Sequence, residues 1–184
     1  MRPKKISVMI KTDHTPGRGS SIMIMGVTAC GKTEIGQRLA PKLGARFIEC
    51  DALHPEANID KMQRGLPLTD EDRWPWLEAL SDEVCKFNNR QEQVVFSCSA
   101  LKRVYRDHLR RRLPDLVTVF LDLDHTTSQQ RLSSRSDHFM PISLVASQFA
   151  TLERPEGEFN TLTLDARAPI EAVVQNVLAQ LEAL

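Results

Sequence analysis

One segment of this 184-residue chain combines residue types and a spacing that bind phosphate. It matches the pattern G-x-x-x-x-G-K-[ST] and consists of Gly26, Val27, Thr28, Ala29, Cys30, Gly31, Lys32 and Thr33. The glycines let the backbone curl, so that successive N–H groups point at phosphate oxygens. Lys32 would place a positive charge beside the terminal phosphates, and Thr33 would offer a hydroxyl to Mg²⁺. We therefore predict that these eight residues bind a nucleoside triphosphate.

The motif requires a strand before it and a helix after it, and the hydrophobic pattern supplies both. Short apolar runs predict strands over 22–25, 46–48, 93–97, 116–121 and 161–164. Helical patterns cover 32–43, a segment from Pro55 to Gly65, 69–88, 99–112, 126–134, 141–152 and 170–181. Thr69 is expected to cap the third of these helices and Ser99 the fourth. Strands that alternate with helices indicate a three-layer α/β domain with a parallel sheet.

Composition limits the classes of protein that this chain can represent. Lys and Arg together number 24, as do Asp and Glu, so the net charge of zero argues against a nucleic-acid partner. Hydrophobic residues make up 41% of the chain, which is typical of a globular domain and excludes a membrane-spanning or disordered one. The four cysteines lack metal-binding spacing, and no secretory signal is visible, so a cytoplasmic protein with reduced thiols is expected. We interpret residues 1–20 as a leader or a flexible tail and 21–184 as one domain.

Three later segments combine acids, bases and aromatic residues in distinctive order. They are D-x-L-H-P at 51–55, D-R-x-P-W-L at 72–77 and C-S-A-L-K-x-x-Y-R-D at 98–107. Together with the phosphate loop, they make residues 21–183 resemble the gluconokinases, small P-loop kinases. The resemblance implies a fold like that of shikimate and nucleoside monophosphate kinases, with ATP and Mg²⁺ as cofactors and often a homodimer. It implies ATP-dependent phosphorylation of D-gluconate on its 6-hydroxyl, which gives 6-phospho-D-gluconate.

The chemistry of single residues agrees with a sugar-acid acceptor. Asp51 follows the carboxyl end of a predicted strand, where open α/β sheets bind ligands, and it can accept or orient the proton of a hydroxyl. Arg73 can hold a carboxylate through two hydrogen bonds, or it can pair with the acids beside it. His54 can bind the substrate or merely cap the helix that begins at Pro55.

The resemblance extends the set of site residues. It implies that Lys102 and Arg106, four residues apart on one helix face, bind the sugar acid. It also implies a lid at about 131–142 whose Arg131 binds ATP and whose Arg135 stabilises the transferring phosphoryl group. Lys32, Asp51 and Arg135 then form the predicted catalytic set.

Two departures from the family pattern stand out, and three alternatives stay open. Asp137 puts a negative charge in the lid, and Cys30 is unusual in a phosphate loop, where its side chain is expected to point away from the phosphates. The chain can instead be a kinase for shikimate, a nucleotide or another sugar acid, a non-catalytic sensor of ATP and a metabolite, or, least favoured, a nucleic-acid-binding module.

Overall fold

The structure is a computed structural model that describes residues 19–134 and 143–183. Within those ranges the strands are β1 (Ser21–Met25), β2 (Arg46–Glu49), β3 (Val94–Ser97), β4 (Leu116–Asp122) and β5 (Thr161–Asp165). The α-helices are α1 (Lys32–Lys42), α2 (Glu56–Gln63), α3 (Asp70–Asn88), α4 (Arg103–Arg112), α5 (His125–Ser133), α6 (Ser143–Thr151) and α7 (Ile170–Leu181). A 3₁₀-helix covers Cys50–Leu53. The predicted parallel α/β domain is confirmed.

The five strands form one parallel sheet in the order β2-β3-β1-β4-β5. β1 is central and fully buried, which explains the apolar run over its last four residues, 22–25. Because every strand runs the same way, the loops that follow their carboxyl ends gather at one edge. The phosphate loop, the segment after β2 and the segment after β3 therefore meet there.

Each face of the sheet has its own hydrophobic core. Ile22 and Ile24 of β1 face one core, which α1 and α7 cover, and Met23 and Met25 face the other, which α3 and α4 cover. The alternation follows from the two-residue period of a strand. Burying a side chain of this size stabilises the fold by about 1.5–3 kcal/mol. These two cores fix the position of the sheet edge that carries the site.

Of the two helix N-caps predicted from the sequence, one is confirmed and one is wrong. Thr69 caps α3 as predicted, since its hydroxyl accepts from the N–H of Asp72 while the Asp72 carboxylate accepts from the N–H of Thr69. Ser99, in contrast, does not cap α4. That helix begins at Arg103 with Lys102 as its N-cap, because residues 98–101 form an irregular loop in which Ala100 has a positive φ of 40°. In the ranges described, no helix combines the length and apolar character needed to cross a bilayer.

Candidate active site

The phosphate loop is a tight turn between β1 and α1. Gly26 has a φ of 144°, and a Cβ there would lie 2.8 Å from the carbonyl oxygen of Leu121, so only glycine fits. Ala29 and Gly31 also have positive φ, of 59° and 97°. Residues of left-handed conformation beside helical ones turn their N–H groups to the same side and make a concave anion site. The loop can therefore receive phosphate oxygens through its backbone.

Side chains from three helices brace this loop. The ammonium of Lys32 donates to the carbonyl oxygens of Gly26 at 3.1 Å and Val27 at 3.0 Å, which holds its charge across the mouth of the turn. Thr28 accepts at its carbonyl from Ser128 of α5 at 3.0 Å and donates its N–H to Gln148 of α6 at 2.7 Å. Gln148 is a contact that the sequence analysis missed, since no local signal marks it.

A first cavity of about 360 Å³ opens beside the loop at the carboxyl ends of β1, β2 and β3. It brings together five residues predicted for the site: Thr28, Lys32, Asp51, His54 and Arg73. Its other lining residues are Ile59, Met62, Leu66, Pro67, Leu68, Trp76, Ser99, Ser147 and Gln148. A carboxylate and two cationic side chains thus share a partly apolar chamber of the size that binds small molecules.

Asp51 and His54 differ in their environment, although both line the first cavity. The Asp51 side chain is 64% exposed, whereas that of His54 is 4% exposed and stacks on Trp76 with ring centroids 4.1 Å apart. Trp76 is held in turn, because its indole N–H donates to the carbonyl oxygen of Cys50 at 2.9 Å. Burial, reinforced by the charge of Arg73, lowers the pKa of His54 to about 4. His54 is consequently neutral at pH 7.

Arg73 reaches the cavity from the first turns of α3. Its Nη2 donates to the carbonyl oxygen of Leu68 at 3.3 Å, and its guanidinium lies 5.6 Å from the centre of the Tyr105 ring. These contacts orient a planar cation toward the chamber. A guanidinium in such a place can bind the carboxylate of a ligand.

Lys102 and Arg106, which were predicted to bind the substrate, instead make hydrogen bonds to groups of the protein itself. Lys102 donates to both oxygens of Asp70, at 2.7 and 2.9 Å, and Tyr105 donates to Asp70 at 2.6 Å. The hydrogen bonds from Lys102 and Tyr105 lower the pKa of Asp70. Neither Lys102 nor Arg106 lines the first cavity.

Arg106 is fully buried, and its guanidinium makes hydrogen bonds to groups of the protein itself. Its Nε donates to Glu158 at 2.9 Å, and its Nη1 donates to the carbonyl oxygens of Ala100 at 2.9 Å and Leu101 at 3.0 Å. Its contacts therefore favour a structural role over contact with a substrate. Glu158 was not singled out by the sequence analysis, because an isolated acid in a polar segment gives no signal of its partner.

A second cavity, of about 370 Å³, lies on the other side of the phosphate loop. Its lining residues are Ala29, Cys30, Gly31, Glu34, Ile35, Arg131, Ser134, Ala166, Ala168, Ile170 and Val173. Arg131 donates to the carbonyl oxygen of Ala166 at 2.8 Å, which holds it at the rim. The predicted Arg135, and Asp137 in the same segment, lie outside the described residues.

Cys30 is part of the hydrophobic core below the loop, with 1% of its surface exposed. Burial raises the pKa of its thiol despite the nearby charge of Lys32. A neutral, packed thiol agrees with the expectation that this side chain points away from the phosphates.

The donors around the loop suit a hard cation that arrives with a nucleotide. Thr33 is exposed in the first turn of α1, next to Lys32, and Mg²⁺ prefers oxygen ligands while keeping several waters. In the part of the chain that the structure describes, no group of three or more His, Cys, Asp or Glu is arranged to hold a metal by itself. The residues present fit a magnesium ion that would be held by the Thr33 hydroxyl and would supply positive charge beside bound phosphates.

Comparison with known proteins places the chain among kinases. Residues 28–181 match the family model described as shikimate kinase. The thermosensitive gluconokinase of Escherichia coli strain K12 is 44% identical, over 88% of this chain and 85% of that protein. The gluconokinase of Gluconobacter oxydans strain 621H is 40% identical, over 94% of this chain and 98% of that protein. A crystal structure of a gluconokinase from Sinorhizobium meliloti 1021 superposes with a TM-score of 0.81 at 46% identity, over 90% and 93% of the two chains.

Proposed function

Because the chain belongs to the gluconokinase family and has a shikimate kinase-like P-loop fold, we propose that it transfers the γ-phosphoryl group of ATP to the 6-hydroxyl of D-gluconate. The products are 6-phospho-D-gluconate and ADP. Beyond the family itself, the observation that carries the proposal is the first cavity, in which Lys32, Asp51 and Arg73 surround one chamber. This arrangement supplies a phosphate-binding cation, a carboxylate for the hydroxyl and a guanidinium for the acid group.

The nucleotide is assigned to the loop and the second cavity. Residues 26–33 would bind its phosphates through backbone N–H groups, and the positive end of α1 would add to their attraction. Lys32 would leave its two carbonyl partners for phosphate oxygens. Thr33 would hold Mg²⁺, which when bound neutralises charge on the β- and γ-phosphates. Arg131, at the rim of the second cavity, is assigned to ATP.

The acceptor is assigned to the first cavity. Asp51 would accept a hydrogen bond from the 6-hydroxyl and take its proton as the phosphoryl group arrives. Arg73 would bind the carboxylate at the other end of the sugar acid. His54, buried and neutral, would bind a hydroxyl of the acceptor.

Of the other residues predicted for the site, Arg135 keeps its predicted role, whereas Lys102 and Arg106 are proposed to act through their contacts within the protein. Arg135 and the lid over 131–142 stay predictions of the family resemblance. Lys102 would act by orienting Asp70 at the start of α3, together with Tyr105 of α4, and Arg106 would act by holding the loop that carries Ser99. A homodimer also stays a prediction, which light scattering of the purified protein would test. The four free thiols support a cytoplasmic location.

The decisive experiment measures ADP release with Mg-ATP and four acceptor conditions: D-gluconate, shikimate, a nucleoside monophosphate and none. We expect strong stimulation by gluconate alone, together with a product phosphorylated at the 6-position by NMR. Shikimate serves as the competing acceptor because the family model carries its name. Stimulation by shikimate alone would change the acceptor and keep the chemistry. ATP binding without product from any acceptor would favour the sensor and overturn the proposal.

A further inference from the structure

A chain of hydrogen-bonding groups leads from the start of α3 into the first cavity. Asn58 of α2 is 4% exposed, and its Nδ2 donates to the carbonyl oxygen of Asp72 at 2.8 Å. The same nitrogen lies 3.4 Å from Nδ1 of His54. Asn58 therefore connects the backbone of α3 to the imidazole that lines the cavity.

The carbonyl of Asp72 determines which way the Asn58 amide points. A backbone carbonyl only accepts hydrogen bonds, so the amide atom that faces it must be the nitrogen. One hydrogen of that nitrogen goes to Asp72, and the other faces Nδ1 of His54. Nδ1 must then be an acceptor. A neutral imidazole carries a single N–H, which leaves the proton on Nε2.

The surroundings of Nε2 also indicate that this nitrogen carries the proton. Nε2 of His54 lies 4.0 Å from the Oδ1 atom of Asp51. An unprotonated Nε2 would direct its lone pair toward a carboxylate, whereas an N–H there is attracted to it. The stack on Trp76 fixes the plane of the ring, and within that plane the contact of Nδ1 with Asn58 sets the orientation that directs Nε2 toward Asp51.

We propose that Asn58 is a positioning residue that holds His54 as the Nε2–H tautomer, so that a neutral hydrogen-bond donor faces the acceptor beside Asp51. This inference rests on the proposed function for the identity of the acceptor, a sugar-acid hydroxyl. A neutral donor binds the hydroxyl oxygen and leaves Asp51 basic, whereas an imidazolium at this distance would stabilise the carboxylate and weaken it as a base. The low pKa of His54 supports the neutral form.

The test reads the tautomer directly, by ¹⁵N NMR of the imidazoles in the intact protein at pH 7, with the His54 signals assigned from their absence in His54→Gln. We expect a protonated Nε2 and an unprotonated Nδ1 in the unsubstituted protein. Asn58→Asp replaces the donor with a carboxylate that only accepts, so the proton should move to Nδ1. With Mg-ATP and gluconate, its kcat should fall about tenfold or more.

Lys61→Met is the matched control. Lys61 also joins α2 to α3, through its 2.7 Å bond to the Asp72 carboxylate, but among the described residues no hydrogen bond or ion pair joins it to His54. We expect this variant to keep the Nε2–H tautomer and a kcat near that of the unsubstituted protein. If Asn58→Asp does not fold, Asn58→Leu replaces it, and its His54 should show a mixture of both tautomers.

Two results would overturn the inference. One is an Nδ1–H tautomer in the unsubstituted protein, and the other is an unchanged tautomer in the folded Asn58 variant. The NMR measurement needs no acceptor, so it remains decisive even if gluconate proves not to be the substrate. A failure of the proposed function and a failure of this inference are thus separate observations.

Discussion

At the scale of single residues, the site depends on side chains whose surroundings differ within one chamber. Asp51, the proposed base, is exposed to solvent, with which it could exchange a proton, while His54 is buried and neutral. Arg73 is held by a carbonyl and a ring, so its guanidinium is oriented before any ligand arrives. Such preorganisation reduces the entropic cost of binding.

The role of Asp51 leads to a first prediction. Asp51→Asn keeps the shape of the side chain and removes its basicity, so kcat for gluconate should fall by about 10²- to 10⁴-fold, with little change in the KM for ATP. The control is Asp60→Asn, which changes an acid on α2 that is 66% exposed and pairs only with Arg64 among the contacts described. Steady-state kinetics of both variants decide the matter. A kcat within a factor of a few of the unsubstituted enzyme would remove Asp51 from catalysis.

Arg73 carries a second prediction, which concerns binding. Arg73→Lys keeps the charge and loses the planar fork, so the KM for gluconate should rise about tenfold or more, while the KM for ATP stays the same. A tenfold change corresponds to about 1.4 kcal/mol. The same substitution at the exposed Arg90 serves as the control. If Arg73→Lys binds gluconate normally, another residue holds the carboxylate.

At the scale of elements, one buried ion pair organises the loop between β3 and α4. Arg106 binds Glu158 and two carbonyls of that loop, where Ala100 has a strained, left-handed backbone. Arg110 adds a second cation, 2.8 Å from Glu158. The loop carries Ser99 into the first cavity, so the ion pair acts on the site from a distance.

This arrangement predicts a loss of stability rather than of substrate contact. Arg106→Met leaves Glu158, which is 6% exposed, with one fewer partner, and the free energy of unfolding should fall by about 3–5 kcal/mol. Arg112→Met removes a surface arginine that is 41% exposed and should cost about 1 kcal/mol or less. Urea denaturation measures both. An Arg106→Met enzyme of unchanged stability but raised KM for gluconate would restore the substrate-binding role predicted from the sequence.

Local signals in the sequence were enough to predict the five strands, the α-helices apart from the start of α4, and the turn of the phosphate loop, because these depend on short-range patterns. The apolar run of β1, the glycines of the turn and the capping residue Thr69 each act within a few residues. The same reasoning could not separate Arg73 from Arg106, since both are arginines on helices near the site. What separates them is a partner 52 residues away, Glu158, and long-range pairing leaves no mark on one sequence.

At the scale of the whole molecule, the buried His54 makes stability depend on pH. Its pKa is about 4 in the fold, against 6.5 for an unperturbed histidine. Between these two values the unfolded chain binds a proton that the folded chain does not. Lowering the pH therefore favours unfolding, by about 1.4 kcal/mol for each unit in the middle of this range.

A fourth prediction is that the free energy of unfolding falls as the pH is lowered from 7 to 4.5. Urea denaturation across this range should show the loss, and His54→Gln should flatten it, because the variant has no group at this position to titrate. A variant with the same pH dependence as the unsubstituted protein would assign the effect to other residues.

The strand order also divides the site along the chain. Apart from Ser147, Gln148 and the shared phosphate loop, the first cavity is built from residues 51–99, whereas the second is built from Glu34 and Ile35 of α1 and from residues 131–173. A mutant library confined to 51–76 would thus vary the acceptor without altering the walls assigned to the nucleotide. On the proposed assignment, the nucleotide site can stay constant while the acceptor site is varied, and kinases for new sugar acids are expected from selection on that one segment.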